Sequence, residues 1–280
     1  MTDVRDEAAP AAATGRRDAA GGGFIWYELM TPDPVAAKAF YDPVVGWSIS
    51  PDPVAPGLEY RMIQRSGGGN AGGVLTLDAA MAGHGARPCW LGYIAVSGVD
   101  ATLARATAAG ASVLMPAWDQ PGVGRLAMIA DPQGAPLYVM DPLPPEDPAQ
   151  ASDAFSVDQP QHVRWNELST SDPDAAIAFY TALFGWEQQG EMDMGDMGKY
   201  RFIQHHGVGI GAVMRKPPQM PVSVWAYYIG VDDIDRAAAA IGAGGGTILN
   251  GPMEIPGGEY ALNALDRQQA AFGLVGPRNS

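Results

Sequence analysis

Two glutamates stand in matching sequence contexts and are the residues best suited to acid–base or ligand-anchoring chemistry. Glu28 follows Trp26 by two residues, and Glu167 follows Trp165 in the same way, within two copies of a Trp-x-Glu-Leu string. Residues two apart in an extended strand point to the same face, so each carboxyl is predicted to lie beside an indole ring. Burial in such a place raises the pKa of a glutamate and would make it a plausible general base.

The same glutamates admit two other interpretations. Each would serve as a core carboxyl if it paired with an arginine such as Arg61 or Arg201, or with backbone donors. Each would alternatively act as a lone metal ligand. The occurrence of the glutamate in both copies indicates common ancestry, which does not choose among these roles.

Aromatic and amide side chains on neighbouring predicted strands would complete the sites. Tyr60 and Gln64 share one face of a strand, as do Tyr200 and Gln204 in the second copy. A glutamine is costly to bury without partners, which favours a ligand-facing position. Tyrosines on the fifth strand of each half offer a further hydroxyl donor. The predicted ligand-binding residues are Trp26, Glu28, Tyr60, Gln64, Tyr93, Trp165, Glu167, Tyr200, Gln204 and Tyr228.

The sequence that forms the strands and helices around these side chains occurs twice along the chain. Residues 26–41 reappear as residues 165–180 with eleven of sixteen positions identical. A repeat of this length is a domain duplication, because solenoid repeats are only about 20–50 residues long. Within each half, a strand, an Ala-rich helix and three strands are followed by the same pattern again. Each half is therefore predicted to have the order βαβββ-βαβββ.

Length, composition and charge fix the predicted boundaries and exclude some partners. We assign residues 1–23 to a disordered leader, 24–142 to the first domain, 143–160 to a Pro-rich linker and 161–277 to the second domain. The net charge of −14 disfavours nucleic acid and anionic membranes as partners. A single cysteine, with neither a signal peptide nor a long apolar run, indicates a cytoplasmic protein.

The order of these elements and several short motifs resemble the vicinal oxygen chelate superfamily, which includes glyoxalase I, extradiol dioxygenases and bleomycin resistance proteins. The resemblance covers roughly residues 24–142 and 161–277. It implies an α+β fold of two tandem domains, each with two βαβββ modules that form a curved, cleft-bearing mixed sheet. The motifs that carry it are Asp33…Phe40-Tyr41…Gly46-Trp47 and Asp131-Pro132-Gln133-Gly134, with Asp172…Phe179-Tyr180…Gly185-Trp186 and Asp266-Arg267-Gln268-Gln269 as counterparts.

Metal-dependent members of that superfamily hold an ion through His, Gln or Glu on the first, fifth and eighth strands of a cleft. Carried over by spacing, these positions fall on residues that are not metal ligands. The resemblance therefore implies a protein with no metal and no other cofactor. The six positions are Trp26, Trp165, Leu91, Ala226, Tyr138 and Gly273.

These features predict a protein that binds a small organic ligand in two clefts and is either a monomer with packed domains or a homodimer. The alternative is an enzyme, either a glyoxalase-like lyase or a hydroxylase- or dioxygenase-like protein.

The second half lacks the Pro and Gly of the Asp131 turn, so its cleft mouth is predicted to differ in shape. We accordingly expect Glu28→Gln to weaken binding or activity more than Glu167→Gln.

Overall fold

The computed structural model describes residues 21–55, 57–145 and 151–279. Residues 1–20 of the predicted leader and residues 146–150 of the predicted linker lie outside the described residues. The end of the leader belongs to the fold, since Gly22 donates its N–H to the carbonyl of Ala95 and accepts from Trp186 Nε1, each at 2.7 Å. No helix of the described chain is long and apolar enough to cross a membrane.

The first half follows the predicted order of strands and helices. Helix α1 begins at Pro34, where the side chain of Asp33 caps it, and ends before Gly46, whose φ of 86° stops the helix. Helix α2 was not predicted and connects the two modules. The elements are β1 (Phe24–Thr31), α1 (Pro34–Val45), β2 (Ser48–Ile49), β3 (Tyr60–Gln64), β4 (Asn70–Thr76), α2 (Ala79–Gly83), β5 (Cys89–Ala95), α3 (Val99–Ala108), β6 (Ser112–Gln120), β7 (Gly124–Ala130) and β8 (Pro136–Pro142).

The second half, described over residues 151–279, repeats this order without an equivalent of α2. Its first helix is also capped by an aspartate, Asp172, and stopped by a glycine, Gly185, with a φ of 72°. The same local sequence therefore produces the same helix in both halves. The elements are β9 (Val163–Thr170), α4 (Pro173–Phe184), β10 (Glu187–Asp193), β11 (Lys199–His205), β12 (Val208–Arg215), β13 (Val224–Gly230), α5 (Ile234–Ala243), β14 (Thr247–Glu254), β15 (Tyr260–Leu265) and β16 (Ala271–Gly276).

Each half forms one mixed sheet of eight strands. The strand order is β2-β3-β4-β1-β5-β8-β7-β6 in the first half and β10-β11-β12-β9-β13-β16-β15-β14 in the second. The leading strands of the two modules, β1 and β5, pair antiparallel at the centre. Each also pairs in parallel with the last strand of its own module, β4 or β8. Two βαβββ modules thus share one sheet, and the predicted fold class is confirmed.

The two faces of each sheet have different neighbours. Helices cover one face, where α1 packs against α5 and α3 against α4 of the other half. Tyr27 and Leu29 point to this side and belong to a hydrophobic core that is continuous between the halves. The hydroxyl of Tyr27 donates to Oδ1 of Asn166 in the second half at 2.8 Å. Trp26 and Met30 point to the opposite face, which is the cleft.

Two matching chains of buried hydrogen bonds also join the halves. Trp90 Nε1 donates to the hydroxyl of Tyr41 at 3.0 Å, and this hydroxyl donates to Asp266 of the second half at 3.1 Å. The corresponding chain passes through Tyr180 of the second half to Asp131 of the first, at 2.9 Å. The helix tyrosine of each half therefore holds the aspartate that precedes the last strand of the other.

The turns that begin with these aspartates have the same shape. In each, one carboxylate oxygen accepts the N–H groups two and four residues later, both at 2.9 Å for Asp131 and at 2.7 and 2.9 Å for Asp266. Gln269 takes a φ of 72° at the place where Gly134 has 93°. The loss of Pro and Gly does not change the shape of this turn, because the aspartate side chain holds it, so the cause predicted for a different second cleft mouth was wrong.

Candidate functional site

Four predicted residues of the first half meet on the cleft face of its sheet. The hydroxyl of Tyr93 on β5 donates to Oε2 of Glu28 on β1 at 2.8 Å. Trp26 Nε1 donates to the hydroxyl of Tyr60 on β3 at 2.7 Å, and Tyr60 also hydrogen-bonds Glu28. Tyr60 reaches this position because Gly73 of β4 has no side chain, since an added Cβ would lie 2.1 Å from the tyrosine oxygen.

The carboxyl of Glu28 is almost completely withdrawn from water. The residue is 2% exposed, and its Oε1 has no hydrogen-bond partner among the described residues. Burial raises the pKa of Glu28 to about 7, and the hydrogen bonds from Tyr93 and Tyr60 offset only part of this rise. Below this pH the group is a neutral acid, which donates one hydrogen bond and accepts others.

The protein's own side chains fill the rest of the first cleft. Tyr138 of β8 stacks on Tyr93 with ring centroids 4.2 Å apart, and Trp118 meets Tyr138 at 6.2 Å. The sequence identifies Tyr138 only as a position unsuited to a metal, because its place beside Tyr93 depends on the pairing of β5 with β8. Further apolar residues of this cleft are Ile25, Met30, Leu75, Met81, Cys89, Leu91, Leu126, Met128 and Met140.

The second half builds a related cluster from its four corresponding residues. Trp165 Nε1 donates to the hydroxyl of Tyr200 at 2.7 Å, and that hydroxyl donates to Oε2 of Glu167 at 2.8 Å. The hydroxyl of Tyr228 lies 3.4 Å from both carboxyl oxygens and accepts from Nδ2 of Asn263 at 2.9 Å. Asn263 was missed by sequence reasoning, since β15 is almost one hundred residues from β9.

The second cluster is more open to solvent than the first. Trp165, Glu167, Tyr200, Tyr228 and Asn263 are all half-buried. The pKa of Glu167 is raised by its burial, while the hydrogen bonds from Tyr200 and Tyr228 act in the opposite direction. A glutamate held among phenols, with a raised pKa, is thus a feature of both halves.

The two predicted glutamines lie apart from these clusters. Gln64 and Gln204 are at the far ends of β3 and β11, and neither hydrogen-bonds a cluster residue within the described chain. A register shift precedes each of them, between Ile63 and Gln64 and between Ile203 and Gln204. The extra residue of each shift, Ala71 or Ile210, belongs to the partner strand, so the alternation continues to the glutamines and only their place at the strand ends separates them from the clusters.

The alternative that pairs each glutamate with an arginine was wrong. Arg61 donates to the backbone carbonyls of Ser50 and Pro51. Arg201 forms an ion pair with Asp174 on the surface. In the described residues the glutamates therefore have phenol partners, which do not neutralise a carboxylate as a guanidinium would.

The donor set of these clusters does not fit the metal site of metal-dependent relatives. Each cluster supplies one carboxyl, and the pKa values of Tyr60 and Tyr93 lie well above the ordinary value because of burial and the nearby Glu28. These phenols remain protonated and donate to the carboxyl. Across residues 21–55, 57–145 and 151–279, no three His, Cys, Asp or Glu side chains are placed to share an ion.

A groove of about 640 Å³ borders the first cleft on its outer side. Its arginine, Arg65, is already paired, since it donates to the carbonyl of Asn70 and to Oδ1 of Asp153 at 2.7 Å each. The groove therefore offers no unpaired charge to a ligand within the described residues. Its lining residues are Trp26, Arg65, Gly67, Gly68, Gly69, Asn70, Ser152 and Asp153.

Comparison with known proteins places this architecture in a family. The model of the Glyoxalase/Bleomycin resistance protein/Dioxygenase superfamily matches residues 23–138 and again residues 159–272. The chain belongs to this superfamily. The two matches coincide with the two eight-stranded sheets, so each half is one domain of the superfamily.

Two curated members of the superfamily align with nearly the whole chain. "Putative glyoxylase CFP32" of Mycobacterium tuberculosis (strain CDC 1551 / Oshkosh) is 32% identical over 256 residues, which is 90% of this chain and 94% of that protein. "Anthracycline biosynthesis protein DauV" of Streptomyces sp. (strain C5) is 29% identical over 277 residues, with 91% and 94% covered. The similarity to both relatives therefore extends across both halves of this chain.

Solved structures of the superfamily share the fold at low identity. The Mn(II)-bound glyoxalase from Novosphingobium aromaticivorans aligns with a TM-score of 0.60 at 17% identity, over 93% of this chain and 83% of that one. An extradiol ring-cleaving dioxygenase from B. fuscum aligns with a TM-score of 0.63 at 15% identity, over 91% and 72%. These similarities show a shared fold.

Proposed function

We propose that this protein binds a small, planar organic molecule in a cleft, without a metal ion, through a glutamate held among tyrosines. The observation that carries this proposal is the pairing of each cluster glutamate with phenols alone. Burial brings the pKa of Glu28 to about 7 and also raises the pKa of Glu167, so a carboxyl in that setting is protonated more readily than an exposed one. A protonated carboxyl recognises keto and hydroxyl oxygens of an uncharged ligand.

The aromatic surroundings of the glutamates support a planar ligand. Trp26 and Trp165 lie beside the carboxyls, and tyrosine rings lie across from them. Such rings bind flat apolar molecules through stacking and edge contacts, while the few polar groups fix orientation. The name of the DauV relative refers to anthracycline biosynthesis. Anthracyclines contain a fused planar ring system with keto and hydroxyl oxygens, which is the chemistry this surface suits.

Equilibrium dialysis with quinizarin, a planar hydroxyanthraquinone, tests this proposal. We expect the dye to bind at micromolar or lower concentration, and anthracene, which has no oxygens, to bind at least about tenfold more weakly because it leaves the polar groups unpaired. Prior treatment of the protein with EDTA should leave quinizarin binding unchanged. Loss of binding after chelation, or equal binding of anthracene, would contradict the proposal.

A second candidate function is acid–base catalysis, which the pKa of Glu28 favours. A general base works best when its pKa is near the working pH, and burial brings that of Glu28 to about 7. The hemithioacetal of methylglyoxal and glutathione is a suitable probe, because its conversion requires a proton transfer next to a carbonyl. Enzyme-dependent thioester formation that rises with pH through about 7 and is lost in Glu28→Gln would support catalysis in place of simple binding.

A further inference from the structure

The cleft-facing residues of the second modules differ in size between the two halves. Tyr138 pairs with Tyr93 across β5 and β8, and the corresponding pair across β13 and β16 is Gly273 with Tyr228. The place of a large aromatic ring in the first cleft is thus taken by a hydrogen atom in the second. The ring of Tyr228 lies against the bare backbone of Gly273, where an added Cβ would be 2.5 Å from the ring.

The strands next to them, β7 and β15, also differ in the size of their cleft-facing side chains. On β7, Leu126 and Met128 point into the first cleft, while Ala127 and Ile129 point to the helices. The pairing registers place Ala261 and Asn263 of β15 at the corresponding positions. The neighbouring residues Leu262 and Ala264 face the helices, so Ala261 and Asn263 face the cleft. A leucine and a methionine are thus replaced by an alanine and an amide.

These substitutions leave the first cleft closed and the second accessible. Glu28, Tyr93 and Tyr138 are 2%, 6% and 3% exposed. The second cleft contains half-buried residues at the matching places, including Glu167 and Tyr228. A ligand that enters the first cleft must displace several packed side chains, which costs packing energy. Glu167 is only partly buried, so a ligand reaches the second cleft with less displacement of packed side chains.

We propose that the ligand site lies in the second half alone and that Tyr138 occupies the equivalent place in the first half. This inference rests on the proposed function, since it assigns that function to one of two clefts. In the first cleft the Tyr138 ring stacks on Tyr93 beside the glutamate. In the second cleft the Tyr228 ring itself lies over Gly273, and we place a planar ligand against the ring face that points into the cleft.

The polar groups of the second cleft specify the oxygens of that ligand. Tyr228 links the amide of Asn263 to the carboxyl of Glu167, which places a carboxyl, a phenol and an amide side by side. Together they donate to a keto oxygen and accept from a hydroxyl, as a hydroxylated quinone or polyketide-like arene requires. Phe202, whose ring meets those of Trp165 and Tyr200 at 6.3 and 5.8 Å, supplies the apolar side.

This assignment reverses the ranking expected from the sequence, in which Glu28 matters more than Glu167. That expectation depended on a different turn before the last strand, and the turns have the same shape. The difference between the halves lies in the side chains that face the cleft. Glu167 is therefore the ligand-contacting carboxyl, and Glu28 belongs to the core of its own half.

Three variants of the full chain distinguish the two clefts, with quinizarin as the probe. Ala261→Leu restores the side chain that closes the first cleft and touches no polar group. Glu167→Met removes the carboxyl at nearly constant volume, and Glu28→Met is its matched control. We expect one dye molecule per chain in the wild type, at least about tenfold weaker binding in Ala261→Leu and Glu167→Met, and a smaller loss in Glu28→Met than in Glu167→Met.

The possible results distinguish a wrong choice of cleft from a wrong proposed function. Circular dichroism and thermal unfolding establish that each variant is folded before its binding is compared. A loss in Glu28→Met equal to or larger than that in Glu167→Met overturns the assignment and leaves the proposed function standing, as does unchanged binding in Ala261→Leu. Two dye molecules per chain also overturn the assignment. A wild-type protein that binds no quinizarin counts against both.

Discussion

Replacing Glu28 with glutamine should change how the stability of the protein depends on pH. The folded protein holds the Glu28 proton up to about pH 7, whereas the unfolded chain releases it near the ordinary value of 4.5. Because the folded pKa is the higher one, stability from this group is fully present below about 4.5 and is lost as pH rises through about 7. The variant has no such group and does not lose this stability.

Urea unfolding at several pH values measures this effect. From about pH 4.5 to about pH 8, the free energy of unfolding of Glu28→Gln should rise by roughly 3 kcal/mol relative to the wild type. Glu167→Gln is the matched control and should change in the same direction by less, because Glu167 is less buried than Glu28. A constant difference between Glu28→Gln and the wild type across this range would mean that Glu28 is ionised in the folded protein.

Replacing Asp131 with alanine should strongly destabilise both halves together. The Asp131 carboxylate accepts two backbone N–H groups of its own turn and the hydroxyl of Tyr180 from the other half. Removing it leaves these buried donors unpaired. We expect the free energy of unfolding to fall by about 3 kcal/mol in Asp131→Ala.

The Tyr180→Phe variant distinguishes the hydrogen bond between the two halves from the hydrogen bonds within the Asp131 turn. This variant keeps the turn and loses only the contact with Asp131 and the acceptor for Trp225, so a loss of about 1–2 kcal/mol is expected. Denaturant unfolding of both single variants and the double variant gives the coupling between the two residues. Additive losses would show that Asp131 stabilises only its own turn.

Local sequence was sufficient to predict most of the fold. The order of strands and helices and the alternation of faces in β1 are local features, and the structure has both of them. The same alternation brought Trp26 and Glu28 to one side. The duplication then extended each of these predictions to the second half.

The remaining features depend on contacts between distant parts of the chain. Tyr138 and Asn263 enter the clefts through strand pairings with registers that no short motif specifies. Gln64 lies at the end of β3, so sharing a strand face with Tyr60 does not bring it to Glu28. The Asp266 turn lacks the expected Pro and Gly, yet its aspartate side chain alone is enough to hold the shape.

The shared core between the halves also has a consequence for synthesis on the ribosome. Tyr27 of the first half and its partner Asn166 are 139 residues apart, so the first sheet emerges long before the groups that cover its helix side. At ~5–20 residues per second, the nascent first half waits roughly 7–30 s with that aromatic surface uncovered. Chaperones that bind exposed apolar surface should therefore engage this protein during translation and release it when the second sheet arrives.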